Sequence, residues 1–91
     1  MMTMKQKTFT IIDEMGLHAR PASALVSTAN DYSSNITIEY KGKSVNLKSI
    51  LGVMSIGIPS GEEFDITTEG ADQDAAMEGL EKKLKSEGLI A

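Results

Sequence analysis

The sequence predicts an α+β open-faced sandwich with the element order βαββαβα. Four short stretches alternate apolar and polar residues, three others place apolar residues at helical spacing, and glycine, proline or cap residues separate them. Strands that are apolar on one face need cover on that face only, which places the helices on one side of the sheet. Ninety-one residues and 9.8 kDa amount to one domain, residues 1–91. A chain of this size buries about 9,000 Å² on folding, enough for a modest core.

Phe9 and Ile11 alternate with Thr8, Thr10 and Ile12, so a strand is expected over 6–12, ended by Asp13-Glu14-Met15-Gly16. Ala22, Leu25, Val26 and Ala29 fall on one face of a helix over 19–30. Pro21 belongs in its first turn, where backbone donors have no intrahelical partner, so the helix starts at His18 or Ala19. Ile36, Ile38 and Tyr40 form a second strand. Lys41-Gly42-Lys43 turns the chain into a third with Val45 and Leu47, making 35–47 a hairpin. Ser49 caps a short helix carrying Ile50, Leu51, Val53 and Met54. Gly57, Pro59 and Gly61 form a loop, and Phe64 with Ile66 marks the fourth strand. Asp72 is expected to cap the last helix, with Ala76, Leu80 and Leu84 facing inward and Gly88 as its stop.

Composition removes several function classes. The absence of cysteine excludes disulfides, thiolate metal sites and cysteine nucleophiles. No apolar run is long enough to span a membrane and no signal-peptide core follows Met1-Met2-Thr3-Met4-Lys5, so a cytoplasmic protein without membrane insertion is expected. The net charge of −4 is the wrong sign for a general nucleic-acid binder. Residues 1–48 nevertheless hold six basic against four acidic residues, whereas 49–91 hold three against nine. The mildly positive half suits an anion or an acidic partner, and it contains the single histidine.

Most chemical motifs fail. Gly42-Lys43-Ser44 looks like the end of a phosphate-cradling loop, but the earlier glycine it needs falls at Thr37 and a hairpin turn is the wrong context. Gly52 and Gly57 flank Ser55 at the wrong spacings for a nucleophile elbow. One histidine with no calcium-loop pattern leaves no metal site. What remains is Gly16-Leu17-His18-Ala19-Arg20-Pro21. A histidine at the N-cap, against free amides and the positive end of a helix dipole, is placed to hold an anion; its neutral imidazole is a nucleophile. Arg20 reaches the same oxygens with a planar fork suited to phosphate. An exposed loop histidine before a solvated helix start fits the same residues.

Two long stretches, Gly16-Leu17-His18-Ala19-Arg20-Pro21-Ala22 and Val45-Asn46-Leu47-Lys48-Ser49-Ile50-Leu51-Gly52-Val53-Met54-Ser55, resemble the HPr family, the histidine-containing phosphocarriers of the bacterial phosphoenolpyruvate:sugar phosphotransferase system. The similarity runs from Phe9 to Leu89. It implies a four-stranded antiparallel sheet with three helices on one face. It also implies a carrier rather than an enzyme, needing no cofactor: His18 takes a phosphoryl group on Nδ1 from enzyme I and passes it to enzyme IIA domains, with Arg20 stabilising the phosphate. The second stretch resembles the Gram-positive form, which implies phosphorylation of Ser49 by an HPr kinase/phosphorylase and a corepressor role with catabolite control protein A. Ala19, Pro21, Lys48, Ile50, Leu51 and Met54 are the expected docking residues, and a monomer is expected. Met15 stands where relatives often carry a polar residue, Leu51 replaces a frequent methionine, and Pro59 stiffens its loop. Because His18 is present, the regulatory paralogue that lacks this histidine is not a direct match. The rival readings are a purely regulatory protein acting through Ser49, a carrier for the nitrogen-related branch, and an inert interaction domain.

Overall fold

The computed structural model describes residues 3–91. Seven elements follow in the expected order: β1 Lys5–Thr10, α1 Ala19–Ala29, β2 Asn35–Tyr40, β3 Lys43–Asn46, α2 Ile50–Ile56, β4 Glu63–Glu69 and α3 Gln73–Ser86. The strands form one antiparallel sheet in the order β1-β4-β2-β3, with the three helices packed over its apolar face as an open-faced sandwich. Register follows the hydrophobic pattern. Ile38 lies between Val45 and Ile66, while Phe9 faces Phe64 with ring centroids 5.7 Å apart. A one-residue slip in any strand would turn these side chains to solvent.

The core is aliphatic, as the scarcity of aromatics requires. Leu25, Ile36, Ile38, Leu47, Ile66, Leu80 and Leu84 are buried, each stabilising the fold by roughly 1.5–3 kcal/mol. The accessible area of 5,080 Å² leaves about 9,000 Å² buried relative to the extended chain, the amount expected from its size. The β2–β3 turn has positive φ at both Lys41 and Gly42, the conformation whose twist matches a two-residue hairpin.

Three expectations need correction. The first strand ends at Thr10 rather than residue 12: Ile11 N–H still donates to Glu62, just before β4, but Ile12 N–H changes partner and donates to Leu89. The hairpin ladder ends at Asn46, although Leu47 still donates to Ile36 and is buried. Asp72 occupies the N-cap position of α3, but its carboxylate does not cap that helix. With φ −106° and ψ 26° its backbone lies outside the extended region usual for a capping side chain. The carboxylate instead accepts from the amides of Ser33 at 2.8 Å and Ser34 at 3.0 Å, and from the Ser34 hydroxyl. The other end of α3 is closed as expected. Gly88, at φ +73°, lets its own N–H reach Lys85 and that of Leu89 reach Leu84, a Schellman arrangement that draws Leu89 into the core.

Candidate functional site

Residues Asp13 to Gly16 fold into a tight turn that sets His18 at the start of α1. Met15 N–H donates to Asp13 Oδ1 at 2.9 Å and Gly16 N–H to the Asp13 carbonyl at 2.9 Å, an Asx turn. Gly16 has φ +68°, and a Cβ there would collide with the Ile58 carbonyl oxygen, so both backbone conformation and space require glycine. Leu17 is buried and its N–H donates to that same carbonyl at 2.8 Å. The turn is thereby held against the loop that follows α2.

His18 is the N-cap residue of α1, with extended backbone, and its carbonyl accepts from Ala22 at 3.0 Å. Its imidazole makes no capping bond to the helix. Ala19 and Arg20 are the first two helical residues, so their amides have no intrahelical acceptor, while Pro21 has none to satisfy. Arg20 is exposed and forms no ion pair among the described residues. The result is a half-exposed ring beside two open backbone donors and an unengaged guanidinium, an arrangement able to hold a tetrahedral anion.

One residue of this site was not singled out from the sequence. Asp13 Oδ2 stands 3.4 Å from His18 Nε2. Its carboxyl is held below the usual carboxylate range, chiefly by the Met15 N–H and in smaller part by His18, against the opposing effect of burial. The available signal was an aspartate three residues before a glycine, the pattern of an Asx turn. That the second oxygen then meets the histidine depends on how the turn closes.

The second expected site lies at the far end of the same helix pair. Ser49 is the N-cap of α2 and its Oγ accepts from Gly52 N–H at 3.2 Å, as expected. Asn30, which ends α1, donates through its side chain to the Lys48 carbonyl at 3.2 Å. Since the opposite end of α2 runs into Ile58 beside Leu17, α1 and α2 are antiparallel neighbours. His18 and Ser49 are separated by about the length of α1, roughly 16 Å.

Between them, Ile50, Leu51 and Met54 are exposed by 39%, 83% and 42%, while α2 is anchored in the core by buried Val53 with half-buried Ile56 packed beside it. Met15, 73% exposed, adds an apolar side chain at the His18 end. Ala19 is exposed and Pro21 buried. Lys48 is turned inward, its ammonium donating to the Tyr32 carbonyl at 2.7 Å, so less of it is available at the surface.

Known proteins match this architecture throughout. The family model described as "PTS HPr component phosphorylation site" matches residues 5–86. The histidine-containing phosphocarrier protein of a Mycoplasma is 42% identical with a TM-score of 0.93, over 94% of this chain and 98% of that one. The phosphocarrier HPr of Bacillus anthracis is 44% identical with a TM-score of 0.82, over 89% and 96% of the two chains. Crh, the catabolite-repression protein of Bacillus subtilis, is 39% identical with a TM-score of 0.72, over 85% and 88%, and forms a swapped dimer. That dimer weighs against the expectation of a monomer. With a histidine at an open helix start, a capped serine beside an exposed apolar face and these relatives along nearly its whole length, the chain belongs to the HPr family of phosphotransferase-system phosphocarriers.

Proposed function

We propose that His18 is the phosphoryl acceptor and donor of a cytoplasmic transfer chain, loaded by enzyme I and discharged to enzyme IIA domains of sugar permeases. The observation that carries this reading is the open start of α1, where the imidazole leaves the Ala19 and Arg20 amides free instead of capping them. A phosphoryl group on the ring brings negative oxygens to those amides and to the Arg20 guanidinium, where the helix dipole also favours them. Transfer between two histidines needs alignment and charge stabilisation more than an enclosed cleft. A domain of 91 residues therefore suffices as a carrier with no turnover of its own. Ala19, Ile50, Leu51 and Met54, with Lys48 at the edge, form the docking face for both partners; Pro21 is buried, so it shapes the start of α1 from beneath instead of meeting a partner.

Ser49 gives this carrier a regulatory role. A phosphate added there by an HPr kinase/phosphorylase sits at a helix N-terminus, where about two negative charges are tolerated. It places them beside Ile50 and Leu51, opposing apolar docking, and supplies the mark that catabolite control protein A would read. The likeness to Crh, a catabolite-repression protein by name, favours this second reading alongside the first.

The test is to mix the protein with enzyme I, Mg²⁺ and phosphoenolpyruvate and record intact mass. An acid-labile phosphoryl adduct on the parent and none on His18→Ala supports the carrier reading. A folded parent that takes up no phosphate from an active enzyme I overturns it and leaves the Ser49-centred role in front.

A further inference from the structure

We propose that Asp13 is a positioning residue that fixes the reactive tautomer of His18 by accepting a hydrogen bond from its Nε2–H. This rests on the carrier reading above. Asp13 has two separate tasks for its two oxygens. Oδ1 takes the Met15 N–H and holds the turn, and Oδ2 faces His18 Nε2 at 3.4 Å. A carboxylate has no hydrogen to give, so the nitrogen facing it carries the proton. In a neutral imidazole the other nitrogen then bears the lone pair. Nδ1 is therefore the free nucleophile, and the ring is held in one orientation at the open helix start, since no capping bond competes for it.

The same contact serves the loaded state. As the Nδ1 lone pair forms the new N–P bond, the donor's N–P bond breaks and its electron pair returns to the donor ring. Nε2 keeps its proton, and the His18 ring becomes a phosphorylated imidazolium. Asp13 remains an anion facing that cation, because the Met15 N–H holds its carboxyl below the usual range. The ring thus has a negative partner on each side, the carboxylate at Nε2 and the phosphoryl oxygens at Nδ1, and the phosphoryl oxygens have the amides and Arg20. No proton needs to leave the ring in either direction of transfer.

Asp13→Asn separates the two tasks. The amide oxygen still accepts from Met15, so the turn is kept, but the second atom becomes an NH₂ donor facing Nε2. That reverses the hydrogen-bond polarity and favours the proton on Nδ1, where it blocks attack. The wrong-tautomer consequence of an Asp→Asn change behind a catalytic histidine is known from serine proteases.

The experiment labels the full chain with ¹⁵N and reads the His18 ring nitrogens at a pH where the imidazole is neutral, for wild type, Asp13→Asn and Asp13→Ala. Initial rates of phosphoryl uptake from enzyme I are measured beside them. The expected result is a pyrrole-like Nε2 in the wild type, a shift toward a pyrrole-like Nδ1 in Asp13→Asn, and an intermediate pattern in Asp13→Ala. If about nine-tenths of the rings in Asp13→Asn carry the proton on Nδ1, the competent fraction and the uptake rate both fall about tenfold. An unchanged nitrogen pattern in a folded Asp13→Asn overturns the proposal, as does a reversed pattern with an undiminished rate. A wild type that refuses phosphate overturns the carrier reading itself. The tautomer comparison needs no phosphoryl donor and judges the contact separately.

Discussion

The starts of α1 and α3 place an ionisable side chain at the same position of a helix and use it in opposite ways. At α1 the His18 ring leaves the helix amides open and meets one polar partner among the described residues, Asp13, at 3.4 Å. At α3 the Asp72 carboxylate also leaves its own helix uncapped, but it crosses to the segment before β2 and accepts from Ser33 and twice from Ser34. Ser34 is almost fully buried and Gly70 packs directly against it. The first junction keeps its donors available; the second spends its acceptor on holding two segments together. Whether a helix start binds a ligand or ties the fold is decided by what its flanking side chain leaves unbonded.

The sharpest break of this contrast is His18→Ala. Phosphoryl uptake should vanish, since no other residue offers an imidazole. Stability should change by less than about 0.5 kcal/mol, because the ring caps nothing and the surface tolerates such changes. Intact mass and urea unfolding of the same sample check both halves. A large loss of stability would mean that the α1 start is as structural as that of α3.

Arg20 sharpens the same side of the comparison. Arg20→Ala should slow uptake by on the order of ten- to a hundredfold, since it removes a charge-assisted, bidentate contact to the phosphoryl oxygens. Arg20→Lys should recover only part, because an ammonium restores the charge without the fork. Equal rates for Arg, Lys and Ala would remove Arg20 from the site.

Much of this was legible in the sequence, and the misses share a cause. Periodicity located every element, Pro21 and His18 marked the start of α1, and Ser49 marked that of α2. The position of Asp72 before α3 predicts a cap, yet its partners lie 38 and 39 residues away in Ser34 and Ser33. Asp13 looked like a strand terminator, and its second oxygen gained a role only when the turn brought His18 back to it. Leu89 and Ile90 followed a helix stop and carried no period, but the Schellman turn directs them into the core. Local patterns reveal which backbone groups need partners. Long-range closure decides which side chains supply them.

Asp72 can be probed through pH. Its carboxyl is lowered from 3.8 to about 2, foremost by the Ser34 hydroxyl and then by the Ser33 amide. A depressed folded-state value means that the ionised form stabilises the fold. That stabilisation is complete above the unfolded value of 3.8 and is lost as pH falls through about 2. Asp72→Asn should therefore unfold at lower urea than the wild type near neutral pH, and the gap should close on acidification across that window. A gap that stays constant with pH would assign the loss to packing rather than to the carboxylate.

The smallest effects concern α2, whose start is capped conventionally and so stands between the other two. Ser49→Ala removes the acceptor of the Gly52 N–H and should cost about 1 kcal/mol, while Ser49→Gly should cost only a few tenths. Neither variant should alter the intrinsic phosphorylation of His18, because the length of α1, roughly 16 Å, separates the two ends. Ser49→Asp keeps a capping oxygen and adds a charge that the helix dipole favours, so its stability should match the wild type. Its transfer rate should nevertheless fall, through a higher apparent KM for enzyme I, since the charge lies next to exposed Ile50 and Leu51. Stability and docking would then move independently at one residue. A Ser49→Asp variant that is less stable but docks normally would place the effect of a charge within the helix rather than on its apolar face.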